Sequence, residues 1–247
     1  MINHYYDIVT YATHSFGYFE KLKNNEYNIP VKVLGWGKKW NGFKDKIKSV
    51  HEYLNTKNDE DIVIFLDGFD TIIKNNPENV LNEFKKFNCK VLVSFNRLNL
   101  NYFIFGTCKN GIMANSGMYM GYVKELKLIL NDILNDRCED DQVALNKVCK
   151  KYDFIAIDTE NKIFENKIFE NNLDADSKAI FVSFPGGGSE RLKRYYRGVI
   201  EYYQFVLPYA LYFLALLLYF LPNHKYIIIS LLVILITFYR FVNKSCK

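Results

Sequence analysis

No Cys-x-x-Cys pair occurs in this chain, and its five cysteines (Cys89, Cys108, Cys138, Cys149 and Cys246) are odd in number and scattered. That pattern fits neither a disulfide framework nor a zinc site, and leaves buried or free thiols in a reducing compartment as the expectation. The N-terminus, Met1-Ile2-Asn3-His4-Tyr5-Tyr6-Asp7, lacks a basic start followed by an apolar core, so no secretory signal peptide is expected. A basic stripe is missing too. The formal charge is only +5, and basic residues alternate with acidic ones until Arg191, Lys193, Arg194 and Arg197, so no nucleic-acid partner is expected. Disorder is excluded by a hydrophobic content of 49% against 24% charged, over 247 residues that suffice for one domain plus an appendage.

Residues 1 to about 198 alternate short apolar runs with longer amphipathic stretches, the pattern of βα units around a largely parallel sheet. Strands are predicted at 8–12, 31–35, 61–67, 90–94 and 117–121. Helical spacing runs through Ile47, Val50 and Leu54, through Val80, Leu81 and Phe84 behind Pro77, and over 123–134 and 141–149. The pentapeptide Asn161-Lys162-Ile163-Phe164-Glu165 recurs at once as Asn166-Lys167-Ile168-Phe169-Glu170, which reads as a local duplication in a surface hairpin without assigned function.

After Gly198 the composition changes. Tyr202 to Pro222 carries no charge over 21 positions, enough to cross about 30 Å of hydrocarbon as a helix. A second uncharged run, Tyr226 to Tyr239, holds 14 residues and reaches spanning length only if Arg240 snorkels and Phe241-Val242 join it. The expectation is a domain over 1–198 and a membrane anchor over 199–247, a transmembrane hairpin with helices about 202–222 and 226–242. A buried helical pair is the alternative. Basic residues outside both ends place those ends, and the soluble domain, on the cytosolic side.

Two carboxylates three apart, Asp67 and Asp70, end the apolar run Ile62-Val63-Ile64-Phe65-Leu66. An open α/β sheet places its ligand outside the carboxyl ends of its strands. A hard cation there can share oxygen ligands with a diphosphate and neutralise a leaving group. A bare DxxD is equally a solvated turn with Asp70 as a cap. A phosphatase-type aspartate motif is disfavoured, because the second acid falls one residue late and strand parity sends it to the other face.

The chain resembles the glycosyltransferase domain of procollagen lysyl hydroxylases. The resemblance runs in order through 8–13, Val33-Leu34-Gly35-Trp36-Gly37 with Trp40, Phe65-Leu66-Asp67-Gly68-Phe69-Asp70, Asn115-Ser116-Gly117 with Gly121, Asp140-Asp141-Gln142, and Ile163-Phe164. It implies a GT-A-like α/β fold that binds a UDP-sugar, with Mn²⁺ or Mg²⁺ held at Asp67 and Asp70. Thr10 and Thr13 would line the nucleotide, Phe69 would stack on its base, Trp36 would shape the adjoining lobe, and Lys46 falls near a family lysine. The resemblance places Asp140 and Asp141 at the catalytic centre, against donor sugar or acceptor; as bare sequence they read equally as an acidic helix N-terminus. Asn115 and Ser116 with Gly117 form a turn that could bond sugar or phosphate oxygens, or an ordinary turn.

One departure stands out. The family supplies a histidine as third metal ligand before a glycine-rich turn, whereas this chain reads Val182-Ser183-Phe184-Pro185-Gly186-Gly187-Gly188 and has no histidine between His51 and His224. Ser183 takes that place, and a neutral hydroxyl is a weak ligand beside imidazole. Gly186 and Gly187 could offer backbone N–H groups to phosphate, with Lys193 nearby. The expected activity is hexose transfer from a UDP-sugar to a hydroxyl acceptor on a protein or glycan at a membrane. The alternative is an inactive membrane protein that keeps the fold.

Overall fold

A computed structural model describes residues 6–96, 105–167, 177–185, 210–214, 216, 220 and 224–242. The chain divides into two compact units, Met1–Ser189 and Glu190–Lys247. The first unit begins with β1 (Tyr6–Tyr11), α1 (Phe19–Lys23), β2 (Val31–Leu34), α2 (Phe43–Leu54), β3 (Ile62–Asp67), β4 (Thr71–Ile73) and α3 (Val80–Lys86). It continues with β5 (Val91–Phe95), β6 (Ala114–Tyr122), α4 (Val123–Asn135), α5 (Asp141–Val148), β7 (Ile155–Asp158), β8 (Phe164–Asn166) and β9 (Phe181–Ser183).

Six strands form the main sheet in the order β2-β1-β3-β6-β5-β7. β1 runs parallel to β2 and β3, and β5 parallel to β7, while β6 is antiparallel to both its neighbours. The largely parallel α/β sheet expected of the sequence is therefore present, with one reversed strand at its centre. Reversal brings the start of β6 to the same edge as the carboxyl ends of β1, β2 and β3, since Leu66 pairs with Met118 and Tyr11 with Asp67.

Side-chain alternation explains why the central strands are apolar without a break. From β3, Val63 and Phe65 enter one buried layer with Ile47, Val50 and Leu54 of α2, Leu126, Ile129 and Ile133 of α4, and Leu145 of α5. Ile62, Ile64 and Leu66 enter the opposite layer with Leu22 of α1, Val80 and Phe84 of α3, and Phe164 and Phe181 of the second sheet. That second sheet, β4-β9-β8, was not anticipated. Its first strand follows Asp70 directly, and β8 holds the end of the first copy of the repeated pentapeptide, Phe164 and Glu165. Ile163 and Phe164 are fully buried there, so this copy is core and not a surface hairpin; most of the second lies outside the described residues.

Two further expectations are corrected. Cys108 and Cys149 form a disulfide, both side chains buried, bridging the segment before β6 to the end of α5. Neither is the free thiol expected. In the second unit, α6 (Lys225–Val242) is 18 residues long, but Lys225 and Arg240 confine its uncharged run to Tyr226–Tyr239. Those 14 residues rise only about 21 Å, short of the roughly 30 Å of a hydrocarbon core. Among the described residues no helix is long and apolar enough to cross a membrane, and the expected hairpin finds no support; its first member, 202–222, lies mostly outside those residues.

Candidate active site

The expected site residues converge where β1, β3 and β6 meet the first turns of α2 and α5. Asp67 is the last residue of β3, and its Oδ1 accepts a hydrogen bond from Lys46 Nζ at 3.0 Å. The same ammonium lies 2.7 Å from Asp141 Oδ2, with Lys46 and Asp141 exposing only 6% and 4% of their side chains. Lys46 comes from α2 and Asp141 from α5, so one buried cation joins three elements. Burial alone would pull the Lys46 ammonium down; the charges of Asp141 and then Asp67 outweigh it and hold the group above the ordinary lysine range. The Asp67 carboxyl is pushed up, first by burial, with Lys46 opposing and Asp141 adding. Beneath them Tyr119 stacks on Phe65 with ring centroids 4.9 Å apart, its buried hydroxyl without a hydrogen-bond partner and raised by burial above the tyrosine range.

Two glycines leave room that a side chain would take. A β-carbon at Gly68 would lie 2.7 Å from Tyr11 O and 2.9 Å from Thr10 Oγ1, so the turn after Asp67 presses directly on β1. A β-carbon at Gly117 would lie 2.9 Å from both Asp67 Oδ2 and Asn115 Oδ1. The expected turn at Asn115-Ser116-Gly117 is in fact a bulge inside β6, where the pairing with β5 jumps from Val93–Tyr119 to Ser94–Asn115. A bulge re-aims side chains at a sheet rim. Here it buries Asn115 and Ser116 and brings Gly117 against Asp67, with Asn115 Oδ1 accepting from Gly117 N at 2.8 Å.

Ser183 reaches Asp70 through the second sheet. β4 continues from Asp70, and in its antiparallel pairing with β9 Thr71 stands opposite Ser183. Ser183 Oγ donates to Asp70 Oδ1 at 3.2 Å, Thr71 Oγ1 donates to the same oxygen at 3.4 Å, and Phe184 N donates to Asp70 O at 2.7 Å. Ser183 is therefore beside the second aspartate, and its hydroxyl donates to that carboxylate.

Other residues take different places. Thr10 is fully buried and donates to Leu66 O at 2.7 Å, tying β1 to β3 beside the Gly68 turn. Thr13 Oγ1 lies 2.9 Å from His14 Nδ1 in the loop after β1. Phe69 is half-buried, its ring 5.2 Å from that of His14 and 5.7 Å edge-on from Phe16. Trp36 is 54% exposed and stacks on Phe19 at 5.0 Å; Trp40, 44% exposed, leans on Tyr11 and Phe43. Asp140 caps α5, its Oδ1 accepting from Gln142 N and Val143 N at 3.0 Å each, and burial raises its carboxyl above the ordinary range. Gly186, Gly187 and Lys193 lie outside the described residues.

Asn146 was not anticipated. It brackets Ala114 with a bond to each backbone group, at 2.9 and 3.0 Å, and so fastens α5 to the start of β6. Its place one turn after Gln142, on the same helix face, is the signal that could have found it. Tyr119 carries no such signal, because a tyrosine in an apolar strand reads as core.

Residues 4–177 match the PLOD GT domain. The chain belongs to this family. Relatives include human procollagen-lysine,2-oxoglutarate 5-dioxygenase 2, 28% identical over 213 residues, which takes in 76% of this chain and 28% of that protein. The Drosophila melanogaster procollagen-lysine,2-oxoglutarate 5-dioxygenase is 27% identical over 139 residues, covering 49% of this chain and 19% of its own. The chain thus spans about 28% of the length of its human relative. Among solved structures, A197 from STIV aligns at a TM-score of 0.39 with 13% identity, covering 62% of this chain and 80% of that one, too low to carry an argument. Family membership makes the chain glycosyltransferase-like.

The fit to a divalent cation can be judged on the donors present. Asp67 and Asp70 are hard oxygen donors, and Ser183 adds a neutral hydroxyl; such a set suits Mg²⁺ or Mn²⁺ when substrate oxygens and water complete the shell. Among the described residues no group of three or more His, Cys, Asp or Glu side chains is arranged to hold a metal by itself.

Proposed function

We propose that the chain transfers a hexose from a UDP-sugar to a hydroxyl acceptor, with a divalent cation at Asp67 and Asp70. The observation that carries this reading is the placement of Asp67 at the end of β3, bound to Lys46 and bordered by the Gly117 bulge, in a member of the PLOD GT-domain family. Asp67 and Asp70, with Ser183 beside them, would hold Mn²⁺ or Mg²⁺; when bound, the ion neutralises charge on the departing diphosphate. Ser183 and Thr71 orient Asp70 through their hydroxyls, and Lys46 holds Asp67 in place. The exposed rings of Trp36 and Trp40 and the half-buried Phe69 offer apolar faces near the strand ends for a base or a sugar.

The test is hydrolysis of several UDP-sugars with Mn²⁺ or Mg²⁺ and without acceptor, paired with calorimetric titration of UDP. Release of UDP that depends on the metal and disappears in Asp67→Asn is expected. Absence of UDP binding with either ion would overturn the proposal. A second reading, a protein that keeps the fold without catalysis, is favoured by Ser183 standing where the family has histidine; it predicts UDP binding without turnover.

A further inference from the structure

The three charged groups Lys46, Asp67 and Asp141 are not equivalent. Lys46 Nζ makes an aligned hydrogen bond to Asp67 Oδ1, whereas Asp141 Oδ2 at 2.7 Å is paired by charge and receives no aligned hydrogen bond. Asp141 is also far more deeply buried than Asp67, at 4% against 29% side-chain exposure. A buried carboxylate with no neutralising partner is costly, and Lys46 is the only cation in contact with Asp141 among the described residues. The Phe65 ring lies 5.5 Å from the same ammonium and Phe43 6.0 Å from it, so the cation is fixed by aromatic faces as well as by charge.

Resting on the metal-dependent reading above, we infer that Lys46 is a positioning residue that acts as a built-in cation: it retains Asp141 as its counter-ion and takes Oδ1 of Asp67, leaving Oδ2 of Asp67 as the oxygen offered to a divalent ion. Asp141, expected at the catalytic centre, is in this assignment neither a metal ligand nor a proton acceptor. Two features agree with it. Oδ2 of Asp67 faces the space left by the missing side chain of Gly117. One ammonium against two carboxylates leaves the triad a single net negative charge, so a divalent ion meets only the charge that Lys46 does not offset.

The experiment is titration of the full chain with Mn²⁺ in the absence of nucleotide, followed by calorimetry and by the loss of the free Mn²⁺ electron paramagnetic resonance signal. Wild type binds one ion, Asp67→Asn loses it, and Asp141→Asn still binds one ion but on the order of tenfold more weakly, since the amide keeps the shape while the whole Lys46 charge falls on Asp67. Lys46→Met leaves both carboxylates uncompensated, and it binds Mn²⁺ on the order of tenfold more tightly or takes up a second ion. The double variant Lys46→Met/Asp141→Asn, which removes the more deeply buried unpaired carboxylate and restores the net charge of the wild-type triad, guards against a folding defect and returns to one ion at wild-type affinity. Loss of Mn²⁺ binding in Asp141→Asn overturns the inference, as does unchanged or weaker binding in folded Lys46→Met. A wild-type chain that binds no Mn²⁺ overturns the metal reading itself, and this inference with it.

Discussion

Asn115 Nδ2 donates to Gln142 Oε1 at 3.1 Å, and because Asn115 Oδ1 already accepts from Gly117 N, the orientation of both side-chain amides is determined. The bulge of β6 thereby dictates how the first turn of α5 meets the sheet. Gln142 Nε2 is left buried without a hydrogen-bond partner, so the pair depends wholly on Asn115. Replacing Asn115 with Leu orphans both Gly117 N–H and Gln142 Oε1 and costs about 2–4 kcal/mol. The midpoint of denaturant unfolding reads this out; a loss under about 0.5 kcal/mol, the scale of ordinary surface substitutions, would show that the amides repack freely.

The buried cap at Asp140 makes stability depend on pH in a definite direction. Its carboxyl is raised in the fold, by burial first and by Asp141, against the hydrogen bonds from Val143 N and Gln142 N and the charge of Lys46. A raised acid binds more protons folded than unfolded. Its contribution is therefore greatest below the ordinary aspartate value of about 3.9 and is lost as pH rises through the raised one. Asparagine keeps the cap without titrating. The stability of wild type relative to Asp140→Asn should fall as pH rises from the ordinary aspartate value of about 3.9 through the raised one, and a difference that stays flat or rises with pH would contradict the assignment.

The disulfide closes a sequence separation of 41 residues that contains β6, α4 and the whole of α5. Loop-closure entropy for that span gives about 4 kcal/mol of stabilisation. Cys108→Ala/Cys149→Ala should lower the unfolding midpoint by a comparable amount, and reduction of wild type should reproduce the change. Equal midpoints for oxidised and reduced wild type would mean that the bond contributes nothing. Its presence also explains why cysteine arithmetic misread the chain: the two partners lie far apart in sequence and share no spacing signature.

Strand and helix positions in the main sheet were legible because period and apolarity agree over whole elements, as in Val63 and Phe65 against Ile62 and Ile64. The second sheet was not, since three-residue strands such as β4 and β9 are too short to show a period. Asp67 could be singled out by its place after an apolar run. That Lys46 and Asp141 would meet it could not, because α2 and α5 pack on the sheet through Ile47 and Leu145, and no local pattern encodes that distance. Thr10 illustrates a tie that no local pattern shows, its 2.7 Å bond to Leu66 O joining β1 to β3.

Gly117 and Gly121, both in β6, separate a requirement of the fold from a requirement of the site. A β-carbon at Gly121 would meet Lys90 O at 2.6 Å and Val91 Cγ2 at 2.7 Å, at the end of the strand away from Asp67. One at Gly117 would meet Asp67 Oδ2 and Asn115 Oδ1, each at 2.9 Å. Both contacts are too close for a β-carbon, so alanine at either position forces a shift and costs about 1–3 kcal/mol. Only Gly117→Ala places carbon over the oxygen offered to the cation. It should weaken Mn²⁺ binding by at least about tenfold, or 1.4 kcal/mol, while Gly121→Ala, destabilised to a similar extent, should bind the ion like wild type. Titration of both folded variants decides the point: equal losses would trace the effect to strand distortion, and retained binding in Gly117→Ala would remove Oδ2 of Asp67 from the metal site.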